Sequence, residues 1–150
     1  MIIENKNGDQ LLEVINIGEE EAFSNYYPIT HALVVVKNKD KFILLHNKYR
    51  NQWEVAGGRL EKGETLLQCA KRECYEEIGY EISNVKYLGL MKLMVKSNYF
   101  HKEDKIEYGG LYCADVIEDI HFIENDEMSK LCLYEEGIDV GYINEIDLKL

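Results

Sequence analysis

The chain has 150 residues, 46% of them apolar and 30% charged, with a single proline. That length suits one domain able to bury a core without disulfide or metal staples, and the apolar share argues against disorder. With 17 basic against 28 acidic side chains the formal charge is −11, which disfavours a nucleic-acid polymer as partner but admits a small anion wherever a metal or a local basic group offsets the charge.

Ala32–Val36 and Leu88–Val95 are the longest strongly apolar stretches, and Lys92 interrupts the second; a membrane span needs roughly 20 apolar residues, so none is expected. The opening MIIENKNGDQ has no basic region leading into an apolar one, so no signal peptide is expected and the expected location is cytoplasmic. Cys69, Cys74, Cys113 and Cys132 are scattered without a C-x-x-C pair, the pattern of reduced, partly buried thiols and not of a zinc site or disulfide framework.

In chain order, LLEVINI predicts a strand over Leu11–Ile17. Tyr26, Tyr27 and Pro28 precede the β-branched run His31–Val36, which reads as a strand buried on both faces. The polar turn Lys37–Lys41 leads to a second strand, Lys41–His46, making a hairpin. Trp53–Ala56 is a short strand ending at Gly57 and Gly58, followed by the loop RLEKGE and a helix. Two longer strands, Val85–Val95 and Tyr108–Ile117, flank a polar loop at Ser97–Glu107. Glu118–Glu127 is loop-like, while Leu131–Tyr134 and Tyr142–Ile146 carry weak strand or helix signals. Mostly strands with one clear helix point to an α+β layered arrangement.

The helix is the best-defined element. Thr65 and Gln68 form a T-x-x-Q capping box, Gly79 sits where a left-handed residue ends the helix, and Leu66, Leu67, Ala70, Cys74 and Ile78 recur at helical spacing. On a helical wheel centred on Ala70, Glu77 falls at about −20°, inside the apolar sector, with Glu73 near −60° and Glu76 near −120°. A bare carboxylate facing the core costs several kcal/mol, neighbouring acids raise one another's pKa, and acids at a helix C-terminus oppose the dipole. A hard divalent cation offsets all of these penalties at once. Arg72 is placed to orient one carboxylate by a forked hydrogen bond. The preceding Gly57-Gly58 pair lets backbone approach a metal or phosphate closely.

The run G58-RLEKG-E64-TLLQCAK-R72-E73-C74-Y75-E76-E77-I78-G79-Y80 resembles the Nudix box, G-x5-E-x7-R-E-U-x-E-E-x-G-U, where U is bulky and aliphatic, and every fixed residue matches. Cys74 and Tyr80 stand at the two aliphatic positions, and Ala56 replaces a frequent proline. The resemblance implies the Nudix fold, a mixed β-sheet sandwich flanked by helices, over residues 1–150. It also implies Mg²⁺-dependent, or alternatively Mn²⁺-dependent, hydrolysis of a nucleoside diphosphate linked to another group. Carried over by position, Glu73, Glu76 and Glu77 resemble the metal-binding glutamates, the Gly57 carbonyl a backbone ligand, and Arg72 with Glu64 the pair that holds the glutamates. Glu73 is one candidate for activating water, and Glu107 and Glu127 are candidates for a late-loop glutamate. The alternative is a non-catalytic nucleotide-binding or regulatory module, but such domains usually lose a box glutamate and none is lost here.

For the substrate, the proline marks of the ADP-ribose and NADH subgroups cannot be present, since the only proline is Pro28, upstream of the box. Tyr99 misses the tyrosine spacing of the diadenosine-polyphosphate subgroup. Elimination leaves a MutT-like nucleoside triphosphate pyrophosphohydrolase, with a small nucleotide as partner and a homodimer as an option. Lys48, Arg50 and Arg59 flank the glycines as candidate phosphate contacts or solvated surface. Tyr26, Tyr27, Phe100, Tyr108 and Tyr112 are candidates for base stacking or ordinary packing.

Overall fold

A computed structural model describes residues 2–97, 103–135, 142–144 and 146–147. Strands β1 (Ile3–Glu4) and β2 (Gln10–Ile15) precede helix α1 (Glu19–Asn25). Then come β3 (Ile29–Asn38), β4 (Lys41–Asn47), β5 (Gln52–Glu54), β6 (Ala56–Arg59), α2 (Leu66–Ile78), β7 (Ser83–Val95), β8 (Lys105–Asp115) and β9 (Met128–Tyr134). The sheet runs β1-β2-β7-β8-β3-β4-β5, with β6 also paired to β3 and β9 to β4. Only β3 and β8 pair in parallel among these strands, so the sheet is mixed, as expected, and α1 and α2 accompany it.

β3 shows why a β-branched run belongs at the centre. Ala32, Val34 and Val36 pack into one core with Leu66, Cys69, Ala70, Cys74 and Ile78 of α2. Leu33 and Val35, on the other pleat, pack against Leu11, Met91, Leu93, Leu111 and Ile146. The same alternation therefore feeds two cores. α2 begins and ends as its sequence requires. Thr65 Oγ1 accepts from the Gln68 amide at 3.1 Å, Gln68 Oε1 accepts from the Thr65 amide at 2.9 Å, and Gly79 takes φ +90°. The four thiols are free, Cys69 and Cys74 buried and the other two half-buried. No helix among the described residues is long and apolar enough to cross a membrane.

Several boundaries differ from expectation. α1 was not foreseen: Gly18 gives no side-chain cap and only Ala22 is buried, so EEEAFSN carries no apolar stripe. The single strand expected at Trp53–Ala56 is two strands on different partners, β5 on β4 and β6 on β3, and the glycine pair lies inside β6. A glycine is obligatory there: a Cβ on Gly57 would meet the Ala32 carbonyl oxygen at 2.3 Å. β8 starts at Lys105, so Glu107 is a strand residue opposite Leu93 and not part of a loop. Leu131–Tyr134 falls in β9. Ile143 bridges to Trp53, and Ile146 and Asp147 are helical. Tyr99, Phe100 and any helix beyond Asp147 lie outside the described residues.

Candidate active site

The site forms where α2 crosses the glycines of β6. Gly58 lies so close beneath the helix that a Cβ would sit 2.4 Å from Glu73 Cδ. The Gly57 amide donates to Glu77 Oε1 at 2.8 Å. Glu77 is 2% exposed, as the wheel predicted for an acid in the apolar sector, and Oε2 has no hydrogen-bond partner among the described residues. Burial pushes its pKa up to about 9, against the pull of the Gly57 amide, and the charges of Glu127, Glu73 and Glu54 add to the rise.

Arg72 organises the remaining acids. Its Nε and Nη2 fork onto Glu64 Oε2 and Oε1 at 2.7 and 2.9 Å. Nη1 donates to Glu73 Oε1 at 2.7 Å and to Glu76 Oε2 at 3.3 Å, and Nη2 also donates to the Arg59 carbonyl at 3.0 Å. The five N–H donors of one planar group thus tie the loop to the helix. The hydrogen bond from Arg72 holds Glu64 down at about 2. Glu73 moves the other way, raised chiefly by burial in spite of Arg72. Glu76 remains outermost, its side chain 55% exposed.

The other candidates separate into near and far. Glu127, in the turn before β9, receives Asn47 Nδ2 at 3.0 Å and Arg50 Nη2 at 3.4 Å on its Oε1. Its charge is felt at both Glu73 and Glu77. Glu107 faces Thr30 Oγ1 at 3.2 Å and Lys105 at 3.5 Å, and it acts on His31; no hydrogen bond joins it to the box glutamates among the described residues. Lys48 is drawn to Glu124 at 2.6 Å, and Arg50 forks onto Glu54 at 2.7 and 3.0 Å. The Arg59 side chain is exposed and makes no ion pair among the described residues. Of the aromatics, Tyr112 is a core residue bonded to Glu19, Tyr26 and Tyr108 pack edge to face, and Tyr27 is 90% exposed.

Sequence reasoning missed Asn47, Gln52, Glu54 and Asn125, all polar and hydrogen-bonded around these acids. The alternation in Gln52-Trp53-Glu54, with both polar residues on the buried pleat, was the available signal.

Among the described residues, no three His, Cys, Asp or Glu side chains converge as a ready cation cage. Arg72 accounts for this by holding Glu73 and Glu76 to itself. The donor chemistry still fits a hard dication: all donors are oxygens, one buried carboxylate oxygen lacks a partner, and Glu76 has room to rotate.

Comparison with known proteins identifies the family and the fold. The NUDIX domain family matches residues 27–137. The NAD-capped RNA hydrolase NudC of Vibrio parahaemolyticus is 41% identical over 68 residues, which are 43% of this chain and 26% of that protein. The matched stretch therefore spans about a quarter of the curated relative. Among solved structures, the Bacillus subtilis pyrophosphohydrolase BsRppH aligns with a TM-score of 0.72 at 20% identity, covering 97% of this chain and 87% of that one. The MutT NUDIX hydrolase from Burkholderia pseudomallei gives 0.65 at 15% identity, covering 79% and 92%. The two structural likenesses show a common fold, and the domain match, which takes in most of the chain and all of the box, makes this protein a member of the Nudix hydrolase superfamily.

Proposed function

We propose that this chain is a divalent-metal-dependent hydrolase of a nucleoside diphosphate joined to a second group, with nucleoside triphosphates as the first substrate class and pyrophosphate as the product. The observation that carries the reading is Glu77: a carboxylate 2% exposed, fixed by the Gly57 amide, with one oxygen left unmatched beside Glu73. Such a buried acid is held protonated up to about 9 by the chain alone, and it ionises at neutral pH only where a positive charge offsets its burial.

Glu73, Glu76 and Glu77, with the Gly57 carbonyl, would hold Mg²⁺ or Mn²⁺. When bound, the ion supplies charge neutralisation for phosphate oxygens and a lowered pKa for water. The protein's own part is positional. Arg72, braced by Glu64, fixes Glu73 against the glycine strand. Glu73 or Glu127 accepts the proton of the attacking water. Arg59 is the best placed of the three basic candidates to meet a phosphate, because Lys48 and Arg50 are already taken up by Glu124 and Glu54. Phosphoryl chemistry of this kind needs placement and charge more than covalent work.

A second reading has its own support: the curated relative is named as acting on NAD-capped RNA, so a dinucleotide pyrophosphate, free or at an RNA end, belongs in the test. The experiment is turnover of nucleoside triphosphates, dinucleotides, nucleotide sugars and NAD-capped RNA with Mg²⁺, scoring orthophosphate against pyrophosphate on the triphosphate arm and the two released monophosphates on the others. Glu73→Gln and Glu77→Gln should each lower the rate by at least ~10². Turnover confined to the dinucleotide arms selects the second reading. No turnover on any arm favours a non-catalytic module.

A further inference from the structure

Glu127 reaches the box from a different part of the chain, and its attachment is unusually complete. Asn47, at the end of β4, is fully buried. Its Oδ1 accepts from the Tyr49 and Arg50 amides at 2.9 and 3.0 Å, and its Nδ2 donates to Glu54 Oε1 at 3.2 Å and Glu127 Oε1 at 3.0 Å. Every bond a side-chain amide can form is thus used, and the partners fix which end is nitrogen, since carboxylates only accept and amides only donate. Asn125 makes the second attachment. Its Oδ1 accepts from the Glu127 and Met128 amides at 3.1 and 2.9 Å, while its Nδ2 donates to the Glu77 carbonyl at 3.0 Å. That carbonyl is one of the unsatisfied groups at the end of α2. The Lys48 amide adds a bond to the Glu127 carbonyl at 2.8 Å. The β4–β9 register slips between His46 and Asn47, a bulge of the kind that re-aims a side chain.

We propose that Asn47 and Asn125 are positioning residues that together deliver Glu127 to the box glutamates: Asn47 fixes one carboxylate oxygen from the β4 side, and Asn125 ties the turn carrying Glu127 to the last turn of α2. Among the described residues the Glu127 side chain accepts from Asn47 and Arg50, both on Oε1, and no hydrogen bond reaches Oε2. Arg50, a candidate phosphate contact by sequence, serves instead to balance Glu54 and Glu127. This inference rests on the hydrolase reading for its catalytic consequence, but the placement of Glu127 stands apart from it.

The test is a double-mutant cycle on the full chain with two readouts. Asn47→Ser retains a hydroxyl able to serve the turn amides but too short to reach Glu127. Asn125→Ser is the second route should the first variant fold poorly, and thermal melts report folding for each. Glu127→Gln is expected to lower kcat by about 10². Asn47→Ser lowers it about tenfold with KM changed less than about twofold, and has no further effect in the Glu127→Gln background. The second readout is Mn²⁺ affinity, measured as free ion by electron paramagnetic resonance with no nucleotide present. A carboxylate beside the site strengthens cation binding whether or not it ligates, so Glu127→Gln and Asn47→Ser should each weaken it severalfold and not additively. Additive effects in folded proteins, or Mn²⁺ affinity unchanged in Glu127→Gln, overturn the proposal. A wild-type chain that hydrolyses no nucleotide, yet shows the non-additive loss of Mn²⁺ affinity, overturns the hydrolase reading and leaves the positioning role standing.

Discussion

Gly58→Ala isolates the contribution of a single carboxylate position. Gly58 lies outside the set of positive-φ residues, so alanine suits its backbone. The added methyl would stand 2.4 Å from Glu73 Cδ and 2.6 Å from both carboxylate oxygens. Carbon atoms in contact rest at about 3.5 Å, so the carboxylate must retreat by about 1 Å. The retreating group is the end of a long side chain, so overpacking should cost about 1–3 kcal/mol and the fold should survive. The retreat strains the 2.7 Å bond from Arg72 and shifts the oxygens that would face the reaction. A misplacement of about 1 Å is worth about 10² in rate. The assay is kcat on the best nucleotide with saturating Mg²⁺, alongside a thermal melt. Gly57→Ala is the control with the opposite balance: φ is +152° and the new methyl meets the Ala32 carbonyl oxygen at 2.3 Å, so backbone must move and stability should fall further than in Gly58→Ala. A folded Gly58→Ala protein with wild-type kcat would refute the placement of Glu73 at the reacting centre.

Other consequences follow from the same geometry. Arg72→Lys keeps a charge but loses the fork on Glu64, and should lower kcat by about 10². Glu64, held near 2, stabilises the fold above its ordinary pKa of 4.5, and that share is lost as pH falls towards 2. The stability gap between wild type and Arg72→Lys should therefore narrow over that window in urea melts. Glu77→Gln should raise Tm in EDTA at neutral pH, because folding holds this acid protonated up to about 9 while the unfolded chain releases the proton from 4.5, a cost that Gln removes, and it should lose to wild type in excess Mn²⁺. Burial pushes His31 down to about 4 from 6.5, so the unfolded chain takes up a proton between these values that the folded chain refuses. Stability should fall as pH drops through that window, by up to about 3 kcal/mol, and His31→Gln should flatten the slope.

The box was legible because its signals are local. Thr65, Gln68 and Gly79 announce the helix ends within the helix itself, and the 3.6-residue period placed Glu77 on the buried side before any coordinates. The residue pattern marks Arg72 as a fork on one carboxylate without saying which, and only the resemblance pairs it with Glu64: that acid sits eight residues back, in the loop just before the helix cap, a separation no helical spacing rule addresses. Glu107 and Glu127 looked equivalent as late acids, yet a strand register fixes one beside Thr30 and a bulge brings the other to Asn47. Registers of that kind are set by pairing partners far off in sequence, which periodicity does not encode. α1 escaped for a different reason, having neither a side-chain cap nor an apolar stripe.

The distribution of bonds among the acids explains how one short region tolerates so many of them. Three solutions operate side by side. Glu64 is neutralised by a forked guanidinium and is held strongly ionised. Glu54 is served by Arg50, Asn47 and Gln52, so its charge is shared among donors from the adjoining turn and strand. Glu77 receives one backbone amide and nothing else among the described residues, and its pKa rises accordingly. Were the acids present only for solubility, the most buried would be expected to carry the most donors, because burial is what makes a bare carboxylate costly. The order is reversed: Glu77, 2% exposed, has one donor, while Glu64, whose side chain is 12% exposed, has a bidentate partner and the Glu61 amide as well. Stability alone does not favour that reversal. It is the arrangement expected where the under-served oxygen is kept for a positive charge from outside the chain, and where Glu64 and Arg72 are saturated so that they hold their neighbours still.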